Sequence, residues 1–129
     1  DSNRLQLLVA VLQKRVGLKL GEQDIFANVV GGMRIAEPAA DLAIALAIAS
    51  SNDERVIDSR TVAIGEIGLS GEIRSVTHLE RRLAEASRLG FARAIIPARL
   101  GRRGGSLGEG LALTRVSTLS EAVEAAIGG

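Results

Sequence analysis

Glu37-Pro38-Ala39-Ala40-Asp41-Leu42-Ala43-Ile44-Ala45-Leu46-Ala47-Ile48-Ala49-Ser50-Ser51 contains an unbroken apolar run from Leu42 to Ala49. A helix made of such a run has no wet face for two turns, so other elements are expected to enclose it. Pro38 suits a first helical position, where a missing N–H costs nothing, and Asp41 puts a negative charge in the first turn, where the helix dipole favours it. The run falls short of the roughly 20 apolar residues that span a bilayer. Its alanines let neighbouring strands and helices approach closely. The stretch reads as a buried central helix.

Upstream, Asp1-Ser2-Asn3 offers N-caps, and Leu5, Leu8, Val9 and Leu12 form one apolar stripe of an amphipathic helix that ends near Gly17. Asp24 to Val30 reads as a strand closed by Gly31-Gly32, with Met33-Arg34-Ile35 a short continuation. A domain that opens on a helix is expected to lack strands further upstream, so the chain reads as a fragment. Downstream, Ser51 to Arg55 is a polar loop. Thr61-Val62-Ala63-Ile64 then opens a strand pair that turns at Ser70-Gly71 into Glu72-Ile73-Arg74-Ser75-Val76, a hairpin over 61–76. Gly65, Gly68 and Gly71 lack the order and the Gly-Lys-Ser/Thr ending of phosphate loops, so turns and bulges account for them.

Thr77-His78-Leu79-Glu80 matches a capping box, in which Thr77 caps the helix and Glu80 reaches back. Leu79, Leu83 and Ala86 form the buried face of the helix that follows, Gly90 ends it, and Arg81 stands at ion-pair spacing from Glu85. Ala94-Ile95-Ile96 is an apolar strand stopped by Pro97. Leu100 to Gly110, with five glycines in eleven residues, reads as a mobile loop. Ala112 to Val116 is a last strand. A second capping box, Thr118 to Glu121, starts a short helix bearing Leu119, Ala122, Val123 and Ala126 that frays at Gly128-Gly129. Strand, helix and strand alternate, as in an α/β domain.

A chain of 129 residues is one domain. With no cysteine and a single histidine, His78, it holds neither a disulfide framework nor a cysteine zinc site, which suits the cytoplasm. No apolar signal or membrane span is present. The net charge of +1 conceals a polarity of +3 over 1–19, −6 over 20–80, +6 over 81–115 and −2 over 116–129. Fourteen of the sixteen basic residues are arginine, whose fork matches phosphate or carboxylate oxygens. The basic zone holds Arg81, Arg82, Arg88, Arg93, Arg99, Arg102, Arg103 and Arg115 against Glu85 and Glu109. Phe26 and Phe91, the only aromatic residues, sit in apolar runs, so base stacking is not expected and backbone contact by arginine is left.

Three blocks carry a family resemblance: Asn28 to Ile35 running into Glu37-Pro38-Ala39-Ala40-Asp41-Leu42-Ala43, Ile64 to Arg74, and Leu89-Gly90-Phe91 before Ile95-Ile96-Pro97. Together they resemble the C-terminal domain of the RadA (Sms) family of bacterial DNA repair proteins, across nearly the whole chain. The resemblance implies an α/β fold like the proteolytic domain of Lon, related to two-layer α/β domains of ribosomal-protein and GHMP-kinase type, here without its first strands. It also implies a zinc finger and a RecA-like ATPase upstream. ATP, Mg and Zn are therefore expected in those modules, and no cofactor or metal in residues 1–129. A Lon-type peptidase uses a serine and a lysine; laid on those motifs, the serine position is Ala39 and the lysine position Glu80. A methyl group cannot attack a carbonyl, and an acid cannot serve as the amine base, so no peptidase activity is expected.

By resemblance, the domain helps a repair motor that drives branch migration to assemble a ring, a hexamer, and to hold DNA, with the RecA recombinase a further partner of the full-length protein. Arg102 and Arg103 are the first candidates for phosphate contact, followed by Arg99, Arg82, Arg81 and Arg74. A structural ring-former without direct DNA contact is the alternative reading, and a residual Lon-type peptidase the third.

Overall fold

The apolar run forms the central helix where the sequence places it. In the computed structural model of the chain, residues 38–99 and 110–127 are described, together with Ala10, which is helical and exposed. The remainder of the expected helix before Gly17, the expected strand at 24–30 and its continuation at 33–35, Phe26, the loop over 100–109 with Arg102 and Arg103, and the expected fraying at 128–129 lie outside those residues. Pro38–Ala40 makes a 3-10 turn, and Asp41–Asp53 is α-helical (α1). Pro38 thus opens the turn rather than the α-helix. Leu42, Ala45 and Ala49 are fully buried, and Ile44, Leu46 and Ile48 nearly so. Enclosure is not complete: Ala43 and Ala47, one turn apart, are exposed. Methyl groups add little apolar area to the surface, so a narrow stripe of them costs little to leave open. The polar residues Ser51, Asn52 and Asp53 complete the last turn instead of starting a loop. Glu54 then adopts a left-handed conformation (φ 55°, ψ 35°) and its N–H caps the carbonyls of Ser50 and Ser51.

After α1 come Thr61–Ala63 (β1), Glu66–Ile67 (β2), Ile73–Arg74 (β3), Leu79–Arg88 (α2), Arg93–Pro97 (β4), Ala112–Val116 (β5) and Leu119–Ile127 (α3). β4 lies in the middle of a three-stranded parallel sheet, pairing Val62 with Ala94 on one side and Ala94 with Leu113 on the other. β1 is therefore not an arm of a hairpin over 61–76. The hairpin is shorter: β2 pairs antiparallel with β3, Glu66 opposite Arg74 and Ile67 opposite Ile73, as a separate two-stranded sheet. The reason lies in burial. Val62 packs into one apolar cluster and Ala63 against the other, as a strand covered on both faces requires.

Those two clusters occupy opposite faces of the sheet. Ile95 and Val116 pack with α1 and α3, through Leu42, Leu46, Leu119 and Ile127 among others. Ala94 and Ile96 point the other way, onto Leu79 and Leu83 of α2 and onto Ala39 and Ile64. Helices on both faces make three layers among the described residues, where the resemblance implies two. The short hairpin is pinned between the starts of α1 and α3: Gly65 N–H donates to Ala39 O, Leu42 N–H to Gly65 O, Ile73 N–H to Ser117 O and Leu119 N–H to Gly71 O.

The two capping boxes behave differently. At α3 the box closes as the sequence indicates, with Glu121 N–H donating to Thr118 Oγ1 at 3.1 Å and Thr118 N–H to Glu121 Oε1 at 3.2 Å. At α2 the cap position belongs to His78, in a left-handed conformation (φ 60°, ψ 34°) with no side-chain capping bond. That turn carries Thr77 off the helix axis, so the reciprocal bonds of a Thr77–Glu80 box do not form. Leu79, Leu83 and Ala86 make the buried face as read from the sequence. Gly90 ends the helix at φ 98°, which a side chain would strain.

Candidate nucleic-acid interface

A strand turns successive residues to opposite faces, so Arg74 at the end of β3 points outward while Ile73 is buried. Arg99 is exposed two residues after β4. The fold brings these two arginines, 25 positions apart in the chain, to the wall of one groove of about 660 Å³. Glu66, Glu72, Ile73, Ser75 and Ser117 complete its lining. Two of the six candidate arginines therefore share a surface.

Glu72 organises this groove. Its Oε2 accepts from Arg74 Nε at 3.2 Å and from Nη2 at 3.0 Å, and its Oε1 accepts the Ser70 N–H at 3.0 Å. The carboxylate lies where a side chain on Gly68 would be, so the glycine makes the room. Hydrogen bonding from its own backbone N–H and from Arg74 holds the Glu72 carboxyl below the usual carboxylate range, against a smaller opposing effect of desolvation. At neutral pH the groove thus carries a fixed carboxylate beside its arginines. Sequence reasoning missed Glu72, although residues two apart in extended chain share a face, and Glu72 and Arg74 have that spacing.

Two other candidates, Arg81 and Arg82, are neighbours on α2. Arg81 is exposed on α2, and Arg82 is half-buried, its Nε donating to Thr77 O at 2.9 Å. Glu85 pairs with Arg88, three residues on, rather than with Arg81. The hydrogen bond Arg88 donates to the Glu85 carboxylate, and after it the attraction of that charge, raise the Arg88 guanidinium above its ordinary value. Arg102 and Arg103 lie outside the described residues. Ala39 is buried and shares an apolar cluster with Leu79, while Glu80 follows Leu79 and is half-buried. Both positions thus lie close to one cluster and carry neither a hydroxyl nor an amine.

Asp41 went unrecognised as a bonding residue. It is fully buried, and its Oδ2 accepts the Ile67 N–H at 3.0 Å. Among the described residues no three His, Cys, Asp or Glu side chains come together to hold a metal ion, and no helix is long and apolar enough to cross a membrane.

Comparison with known proteins gives the setting of this groove. DNA repair protein RadA of Halalkalibacterium halodurans is 47% identical over 129 residues, 99% of this chain and 28% of that protein. RadA of Bacillus subtilis is 45% identical over 129 residues, again 28% of its length, and RadA of Synechocystis sp. is 50% identical over 97 residues, 19% of its length. The chain therefore spans little more than a quarter of the curated relatives it matches. The model of a family described as subunit ChlI of Mg-chelatase matches residues 5–99, from before α1 to just after β4. On that match the chain, homologous to proteins named RadA along nearly its whole length, belongs to the family described as subunit ChlI of Mg-chelatase.

Proposed function

We propose that this domain is a non-proteolytic, Lon-like module that holds DNA and supports ring assembly in a RadA-type repair ATPase acting in recombination and branch migration. The observation that carries the reading is the identity of 42–50% to proteins named DNA repair protein RadA. The groove supports it physically: arginines meet phosphate oxygens with paired hydrogen bonds and need no base contact. The ATPase, with its ATP and Mg, and a zinc module belong to the longer protein, as do a hexameric state, a RecA partner and a cytoplasmic location. Ala39 and Glu80 leave the peptidase dyad without nucleophile or base. No cleavage of a casein-type substrate is expected, and cleavage abolished by changing a single serine would reverse this part of the reading.

The test of DNA contact is duplex affinity at several salt concentrations, with molecular mass measured in parallel. Replacing Arg102 and Arg103 by alanine is expected to weaken binding without sequence bias and to flatten the slope of log affinity against log salt by about 0.9 for each phosphate left without its arginine. One observation favours the alternative, a ring-former without DNA contact: Arg74 and Arg88 already have carboxylate partners within the chain. On that alternative the double variant changes mass and leaves affinity and slope as they were.

A further inference from the structure

We infer that Glu72 is a built-in counter-anion that occupies Arg74 until a DNA phosphodiester replaces it, so that the groove exchanges an internal carboxylate for an external phosphate. The inference rests on the DNA-contact reading above and assigns the exchange to one pair.

Three features of the groove carry it. The first is that the pair is open: the Arg74 and Glu72 side chains keep 55% and 42% of their surface exposed. An exposed ion pair is weakly held and screened by salt, so an incoming anion competes on nearly equal terms. The second is that Glu72 has a place to remain after Arg74 leaves. Its Oε1 bond to the Ser70 N–H and the space above Gly68 do not depend on Arg74. The carboxylate is anchored to its loop, while the guanidinium sits at the end of a long exposed side chain. The third is the second cation. Arg99 lines the same groove and has no ion-pair partner among the described residues. A phosphodiester set there meets Arg99 at once and gains the Arg74 fork when Glu72 releases it. Glu66, directly across the hairpin from Arg74, adds to the negative field that a phosphate has to overcome. Occupied by Glu72, the groove disfavours weak anions and holds Arg74 in reserve.

The test uses the whole 129-residue chain and a duplex without sequence preference. Glu72→Gln removes the charge and keeps an oxygen for Ser70. It is expected to tighten duplex binding severalfold at low salt and to leave the salt slope as it is, because Arg74 neutralises the same phosphate in both chains, whereas Arg74→Ala flattens the slope by about 0.9. In an Arg74→Ala background the same change is expected to give no more than the small general gain of a lost negative charge. Glu124→Gln, the same charge change on an exposed residue of α3 outside the groove lining, is expected to give a smaller gain and no change in slope. Glu72→Ala serves as a second variant, with circular dichroism confirming the fold of each. Equal effects of Glu72→Gln and Glu124→Gln, a slope steeper by about 0.9 in Glu72→Gln, or the full gain of Glu72→Gln persisting without Arg74 would each overturn the exchange. If Glu72→Gln is inert while Arg102 and Arg103 still set the salt slope, the exchange fails and the DNA reading stands. If no arginine variant alters binding, the DNA reading fails with it.

Discussion

Asp41 and Glu72 are both carboxylates bonded to backbone N–H groups, and their surroundings give them opposite roles. Glu72 is open to water and able to trade partners. Asp41 is sealed, with its Oδ2 on the Ile67 N–H tying the first turn of α1 to β2. Along the sequence Asp41 reads as a charge placed for the helix dipole, and nothing local reveals the strand it holds. Removing it leaves a buried N–H unpaired, which costs more than the mean value of a hydrogen bond. Asp41→Ala is expected to lose about 1–3 kcal/mol in urea unfolding. Asp41→Asn should lose less, because its amide oxygen can still accept. An alanine variant as stable as the parent chain would show that this bond contributes nothing.

At the scale of elements, two identical-looking starts, Thr-x-x-Glu at 77 and at 118, part company in space. Thr118 is held in position before α3 forms its first turn, by a bridge to Glu72 and by the Leu119 N–H on Gly71 O. Thr77 has no such bracing to the hairpin, and the left-handed turn at His78 takes the cap position from it. Thr118→Ala is therefore expected to cost about 1 kcal/mol, the usual loss of a Ser/Thr cap. Thr77→Ala should stay within about 0.5 kcal/mol, as an exposed substitution away from any such feature does. Thermal unfolding of both variants checks this, and equal losses would mean that the Thr77 box forms in solution. α3 gains a second tie at its other end, where Arg55 Nη1 donates to Ile127 O at 2.7 Å.

For the whole molecule, two clusters on opposite faces of one sheet share the work of holding three layers together. Leu83, fully buried, anchors α2 to Ala94 and Ile96 of β4. Leu83→Ala is expected to cost about 2–5 kcal/mol. Leu89, 65% exposed at the end of the same helix, should tolerate alanine with a change within about 0.5 kcal/mol. A cooperative unfolding curve that moves for Leu83 and not for Leu89 is the outcome that fits. The sequence alone determined the central helix, the buried face of α2, the limits of β5 and the box at Thr118. Each of these depends on residue identity or on neighbours within about one turn, where periodicity and capping act. Tertiary structure alone decided that β1 joins β4 instead of the hairpin, that Asp41 reaches Ile67 and that Arg74 and Arg99 line one groove. Strand partners are chosen by which faces need cover. Side chains far apart in sequence meet only after the sheet is laid down, and no local spacing encodes that.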